Sequence, residues 1–336
     1  MDDAEPSSMG TIGRVSIGLV SLYLLICVFL SWWWDSEPEQ FPVRQNAAQM
    51  AELENAELVT GYVSTATFIR IGTTLLEKRG GYLFNDMFPP SVWMDNVPEW
   101  EMGTVMLLRD TARVYRNDFS RSQSQSVEDR DLQEAEGHLF FDASSWLLPR
   151  TESEYKRGLE YFDSYLTRLA DSADTTAQFY ARADNLQQWL ATVETRLGSL
   201  SQRLSASVGK RQLNTDLAGD AAATQATQAP RDQIVKTPWL EIDNVFYQTR
   251  GYTWALLHML RALEQDFGDV LDKKNARVSL QQIIRELEPS QDTLWSPIVL
   301  NGDGLGMLPN HSLVMASYIA RANAAIIDLR TLLTQG

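Results

Sequence analysis

The chain has 336 residues, a net charge of −15 and 44% hydrophobic residues. That length allows one large domain or two smaller ones around a substantial core. The acidic balance argues against a nucleic-acid partner or attachment through a polybasic patch. The single cysteine, Cys27, rules out an intrachain disulfide and a cysteine-based metal site.

Residues 1–11, with Pro6, Ser7 and Ser8, read as a short disordered cytoplasmic tail. From Ile12 to Trp34 the chain is one apolar run, uncharged after Arg14. A helix needs about 20 mainly apolar residues to cross the hydrocarbon layer, and tryptophans gather where such a helix leaves it. Residues 12–34 are therefore expected to form a transmembrane helix that ends in Trp32, Trp33 and Trp34. A cleaved signal peptide fits poorly. The run is longer than a signal core, and no Ala-x-Ala-like site follows it. Arg14 precedes the run and the next basic residue is Arg44. By the positive-inside rule the N-terminus is cytoplasmic and the main domain lies outside, in the periplasm of a bacterial inner membrane.

Residues 35–45 read as a linker stiffened by Pro38 and Pro42. A helical domain is expected over 46–213. Its first helices carry Met50, Leu53, Leu58 and Val59, then Val63, Phe68, Ile71 and Leu75, and the pair Gly80–Gly81 ends them. Residues 80–101 follow with no helical period until their end. Tyr82, Phe84, Phe88, Trp93 and Trp100 alternate there with Asn85, Asp86, Asp95, Asn96, Glu99 and Glu101. Long irregular loops are uncommon and often functional. The expectation is nonetheless an anchored loop, with Trp93 and Trp100 inserted between helices and Glu101→Gln nearly silent. A groove for a sugar chain or peptide is the alternative. Asn96 is the expected cap of the helix that runs to Asp118.

A helix is expected over 129–144, and Thr151 with Glu154 reads as a capping box for the next one. The cleanest periodic series is Phe179, Ala183, Leu186, Leu190, Val193, Leu197, Leu200, Leu204 and Val208. Its alternating four and three spacing predicts a long, coiled-coil-like helix whose seam packs within the chain or against a second copy. Residues 214–231, rich in Ala, Thr and Gln, read as a flexible loop or linker. Residues 232–336 return to helix as a C-terminal part packing on the first. Trp239 to Leu263, Val278 to Leu287, and a last helix capped by Asn310 or Ser312 make it up. The glycine-rich turn Asn301–Gly306 has neither a phosphate-loop ending nor a calcium-loop acid series. The fold class is thus all-α: one transmembrane helix followed by a bundle of long helices.

His138, His258 and His311 lack ligand spacing, and no Gly-x-Ser-x-Gly elbow occurs. No metal or cofactor is expected, and no catalytic residue is assigned. A carboxylate mechanism stays open because acid and base can come from distant helices, and Glu99, Glu101, Asp86 and Asp95 are its first candidates only for their place among aromatics in a long loop. The run Gly80-Gly-Tyr-Leu83, Asn85-Asp86, Pro89-Pro90, Asp95-Asn96, Trp100-Glu101, Arg109-Asp110 and the stretch Pro309–Arg330 resemble DUF2333. That is a family of proteobacterial proteins catalogued as a domain of unknown function. The resemblance implies a bacterial inner-membrane setting over nearly the whole chain and supplies no catalytic residue. The expected function is a membrane-anchored scaffold or adaptor of the cell envelope, non-enzymatic, with the bilayer and an envelope protein or a second copy as partners. The alternative is a cell-wall or polysaccharide-acting enzyme using carboxylates.

Overall fold

A computed structural model describes residues 10–123, 125–213, 232–296, 298–303 and 307–335. Most of the expected cytoplasmic tail, the 214–231 loop and part of the 301–306 turn lie outside the described residues. The chain is an all-α bundle of long packed helices. The helices are α1 (Thr11–Trp34), α2 (Val43–Glu54), α3 (Tyr62–Glu77), α4 (Asn96–Val114), α5 (Arg130–Leu139), α6 (Thr151–Ala170), α7 (Ala183–Ser205), α8 (Ile242–Asp266), α9 (Gly268–Lys273), α10 (Arg277–Leu287) and α11 (His311–Thr334). One antiparallel pair, β1 (Lys210–Leu213) and β2 (Asp232–Val235), departs from the all-helical expectation. Gly209, at φ +83°, ends the helical path after α7 and turns the chain into β1.

The central element is α8, buried on nearly every side from Ile242 to Leu263. It lies beside α4 in the same direction: Gln248 bonds Glu99 near one end, and Phe267 meets Phe119 at the other. Two glycines set the closeness of this pair. A Cβ on Gly251 would lie 1.8 Å from the Trp100 carbonyl oxygen, and one on Gly103 2.0 Å from that of Gln248. A mid-helix glycine is unfavourable on its own, so here it is explained by backbone-to-backbone approach. Helices α3, α5 and α6 pack on one side of this pair, and α7, α10 and α11 on the other.

The apolar series on α7 is the buried face of that helix. Leu186, Leu190, Val193, Leu197, Leu200 and Leu204 are all buried, as are Ile319, Ala322, Ile326 and Leu329 of α11, the helix of the same chain that α7 packs against most extensively. Phe179 precedes α7, and Val208 is exposed beyond it, so the series is shorter than its sequence pattern. The seam belongs to a bundle, and among the described residues nothing marks it as a coiled coil.

Among the described residues, two helices are long and apolar enough to cross a membrane: Gly13–Trp34 and His311–Thr334. They differ in surroundings. The first has only 6% of its most apolar window buried, against 39% for the second. The second also carries Arg321 and Arg330, paired with Glu286 on α10 and Glu194 on α7.

Three local expectations are corrected. Asp95, not Asn96, caps α4, accepting the Asn96 amide. Thr151 is the first residue of α6, and its hydroxyl donates to the carbonyls of Asp142 (2.7 Å) and Ser145 (3.0 Å) instead of capping the helix. The helix expected over 129–144 stops at Leu139, and Asp129 caps it. Asn310 caps α11 as expected, accepting from the Leu313 amide.

Candidate functional site

The features that stand out gather where α1 meets the bundle. Beyond Trp34 the chain does not hang free. Residues 35–42 lie along one face of α8, the face of Tyr247, Arg250, Trp254, His258 and Arg261, spaced three and four apart as one helical stripe. Glu37 takes a two-pronged ion pair from Arg250, both contacts 2.7 Å. The same guanidinium donates to the carbonyls of Ser290 (3.0 Å) and Asp292 (2.9 Å). Planar, forked guanidinium groups suit this bidentate geometry. Gln40 accepts from Arg261.

The strap ends on His258. Its Nε2 accepts the Phe41 amide at 3.1 Å, and its Nδ1 donates to the Trp254 carbonyl at 2.7 Å. The Phe41 ring stacks on the imidazole at 4.1 Å. One nitrogen must donate and the other accept, so the ring is neutral. Burial lowers its pKa to about 4, against the Trp254 bond, which favours the charged form.

The irregular loop after α3 packs against the end of α1. Arg79 lies over the Trp33 ring at 4.8 Å, and a Cβ on Gly80 would come within 2.9 Å of the Trp34 ring. The loop is held from inside by Glu101. That residue is wholly buried, and its carboxylate accepts the amides of Leu83 (2.9 and 3.0 Å) and Phe84 (2.8 Å) while pairing with Lys78 at 2.5 Å. Burial pushes the carboxyl up to about 7, with the Lys78 ammonium and the two amides pulling against that. Tyr82 donates to the Ala143 carbonyl, and Asn85 donates to the Ser145 carbonyl and to Glu152, which ties the loop to residues 142–152.

The sequence-based candidates separate here. Trp100 is fully buried and meets Trp254 at 5.1 Å, as expected of an anchor. Trp93 is 59% exposed, which overturns its expected insertion between helices. Phe88 is exposed too, whereas Tyr82 is buried and Phe84 half-buried. Glu101 is a buried anchor of the loop, held by Lys78 and the Leu83 and Phe84 amides. The four carboxylates do not converge. Glu101 faces backbone amides, Glu99 accepts from Gln248, and Asp86 and Asp95 are exposed. Burial raises the Glu99 pKa, and Arg203 opposes it.

Two clefts flank Arg250. One, of about 540 Å³, lies between the strap and α8 and includes Asp35, Glu37, Tyr247 and Trp254. The other, of about 500 Å³, opens toward α11 and includes Phe246, Trp295, His311 and Tyr318. Among the described residues, the Trp254 indole N–H has no hydrogen-bond partner. Arg250 is committed to four bonds, so it holds the cleft walls together rather than presenting charge to a guest. The other two histidines have local partners: His138 bonds Glu154, and His311 accepts the Leu300 amide. Among the described residues no three His, Cys, Asp or Glu side chains are grouped to hold a metal.

Sequence reasoning missed Lys78, Arg250 and the Glu37 and His258 strap contacts. A signal existed for one of them: Arg250 interrupts the otherwise apolar stripe between Phe246 and Trp254. Glu37 and Phe41 gave none, because their partners lie more than two hundred residues away.

The arrangement is an all-α bundle joined through residues 35–42 to a helix long and apolar enough to cross a membrane. The chain belongs to the DUF2333 family, described as an uncharacterised protein conserved in bacteria, whose model matches residues 8–336. No curated protein and no solved structure matches it.

Proposed function

We propose that this protein is a single-pass inner-membrane scaffold or adaptor, with its N-terminus in the cytoplasm and its helical bundle in the periplasm. The observation that carries the reading is the strap. A catalytic domain that must search for substrate gains from a loose tether, whose reach grows with length. Here Glu37–Arg250 and Phe41–His258 fix the bundle to the anchor within eight residues of Trp34. A body held at one height and orientation suits a protein that positions others. The second apolar helix, α11, is read as a core helix, because its buried stripe and both ion pairs face α7 and α10.

Topology is tested by adding protease to intact spheroplasts. Cleavage beyond Glu39 with the membrane sealed is expected, and protection until detergent is added would overturn the orientation. The scaffold role is tested by in-membrane crosslinking of the tagged full chain. A discrete crosslinked species containing an envelope protein or a second copy is expected. Absence of any such species, with peptidoglycan or polysaccharide cleaved by the purified chain, would replace the scaffold with a carboxylate enzyme.

A further inference from the structure

The end of the bundle nearest Trp34 exposes apolar side chains on three separate segments. On the irregular loop, Phe88 is 72% and Trp93 59% exposed, with Met87 and Val92 beside them. Residues 146–148 contribute Trp146, Leu147 and Leu148, the last 90% exposed. Trp239 and Leu240, at the entry to α8, are more than 70% exposed. Isolated exposed apolar residues are ordinary, but large aromatics concentrated at one end of a molecule mark an interaction surface.

The position of this surface names its partner. Ser31 and Trp32 of α1 share a small cleft with Trp93, Met94 and Asp95. The 146–148 segment sits beside the same loop through the Asn85–Ser145 bond. Helices α4 and α8 begin side by side, with Gln248 donating to Glu99, which brings Trp239 and Leu240, just before α8, to this end. A 24-residue helix is about 36 Å long, somewhat more than the roughly 30 Å hydrocarbon layer, so its terminal tryptophans lie at headgroup depth. Side chains level with Trp32 and pointing outward then meet lipid, and Trp, Phe and Leu are the residues that insert at that depth.

We infer that these three segments form an interfacial collar seated in the outer leaflet of the bilayer that α1 crosses; this rests on the reading of α1 as a membrane span. The occupant is lipid rather than a protein, because the surface is continuous with the lipid-facing helix. It needs no anionic headgroups, since Asp86, Asp95 and Asp142 are exposed within it. The collar adds a second hold to the strap and fixes how the bundle stands on the membrane.

The test uses nitroxide labels on the full chain in phosphatidylcholine nanodiscs, in a Cys27→Ser background. Labels are placed through Phe88→Cys, Trp93→Cys and Leu147→Cys on the collar and Leu25→Cys within α1. Val127→Cys and Asp171→Cys serve as distal controls, beyond the far ends of α4 and α6. All three collar positions are exposed, so labelling leaves the packed core untouched. Collisions with dissolved oxygen and with a water-soluble nickel chelate report depth. The collar positions are expected to fall between Leu25 and the distal controls, with oxygen collisions raised and nickel collisions several-fold below those at Val127 and Asp171. Nickel access at the collar equal to that at Val127, with Leu25 still shielded, would overturn the collar alone. Nickel access at Leu25 would overturn the anchor reading and the collar with it.

Discussion

Replacing Glu101 with alanine tests the reasoning about the irregular loop most directly. The wild-type carboxylate is the shared acceptor for two backbone amides, Leu83 and Phe84, and the counter-ion of Lys78, whose side chain is only 4% exposed. Alanine leaves all three donors without it. An orphaned buried amide costs about 1–3 kcal/mol, and breaking a buried ion pair by removing one partner costs about 3–5 kcal/mol. Water admitted to the vacated space recovers part of this, so Glu101→Ala is expected to destabilise by at least ~3 kcal/mol. Lys78→Met alone leaves the carboxylate with its two amides and is expected to cost less. The double variant has no unpaired charge and is expected to fall short of the summed single effects by about 1–2 kcal/mol. The assay is chemical denaturation of the full chain in detergent micelles for all four members of the cycle. A cost below ~1 kcal/mol for Glu101→Ala, or strict additivity, would refute the account of the loop as hung from this carboxylate.

Helix existence was legible in the sequence because it depends on local period. The α7 series, the glycine pair after α3 and the Asn310 cap all register within a few residues; the last two sit where their patterns put them, and the α7 series does so from Ala183 to Leu204. The apolar helix Thr11–Trp34 was legible for the same reason. The 80–101 loop was not. Trp93 and Trp100 look alike in sequence, seven residues apart among similar neighbours, yet one is exposed and the other fully buried. What separates them is α4, which begins at Asn96 and carries Trp100 onto α8 while Trp93 stays outside. The burial of Glu101 was not legible because a carboxylate beside exposed-looking acids gives no sign of three donors converging on it from Lys78, Leu83 and Phe84. The strap was invisible for a related reason. Glu37–Arg250 and Phe41–His258 join residues more than two hundred positions apart, and no local pattern encodes such a pairing.

Three further outcomes follow from the packing and the strap. Gly251→Ala would drive a methyl group into the Trp100 carbonyl and push α4 off α8, so a loss of ~3 kcal/mol or more in denaturation is expected. Trp100→Ala is expected to cost about 3–5 kcal/mol, and Trp93→Ala, measured in micelles beside it, less than about 0.5 kcal/mol. The last concerns His258, whose neutral ring both donates and accepts to close the strap. Its folded pKa, about 4, lies below the ordinary value of 6.5. Between those two values the unfolded chain binds a proton that the folded chain refuses. The resulting contribution to stability is complete above pH 6.5 and declines as pH falls toward 4. A gap of about 2.5 pKa units corresponds to roughly 3 kcal/mol over that window. His258→Gln lacks this titration, whatever it costs at neutral pH. The difference in unfolding free energy between wild type and His258→Gln is therefore expected to shrink by about 2–3 kcal/mol from pH 7.5 to pH 4.5. Other titrating groups are common to both proteins and cancel in the comparison. A difference that stays constant across that range would mean that the strap does not depend on a neutral His258.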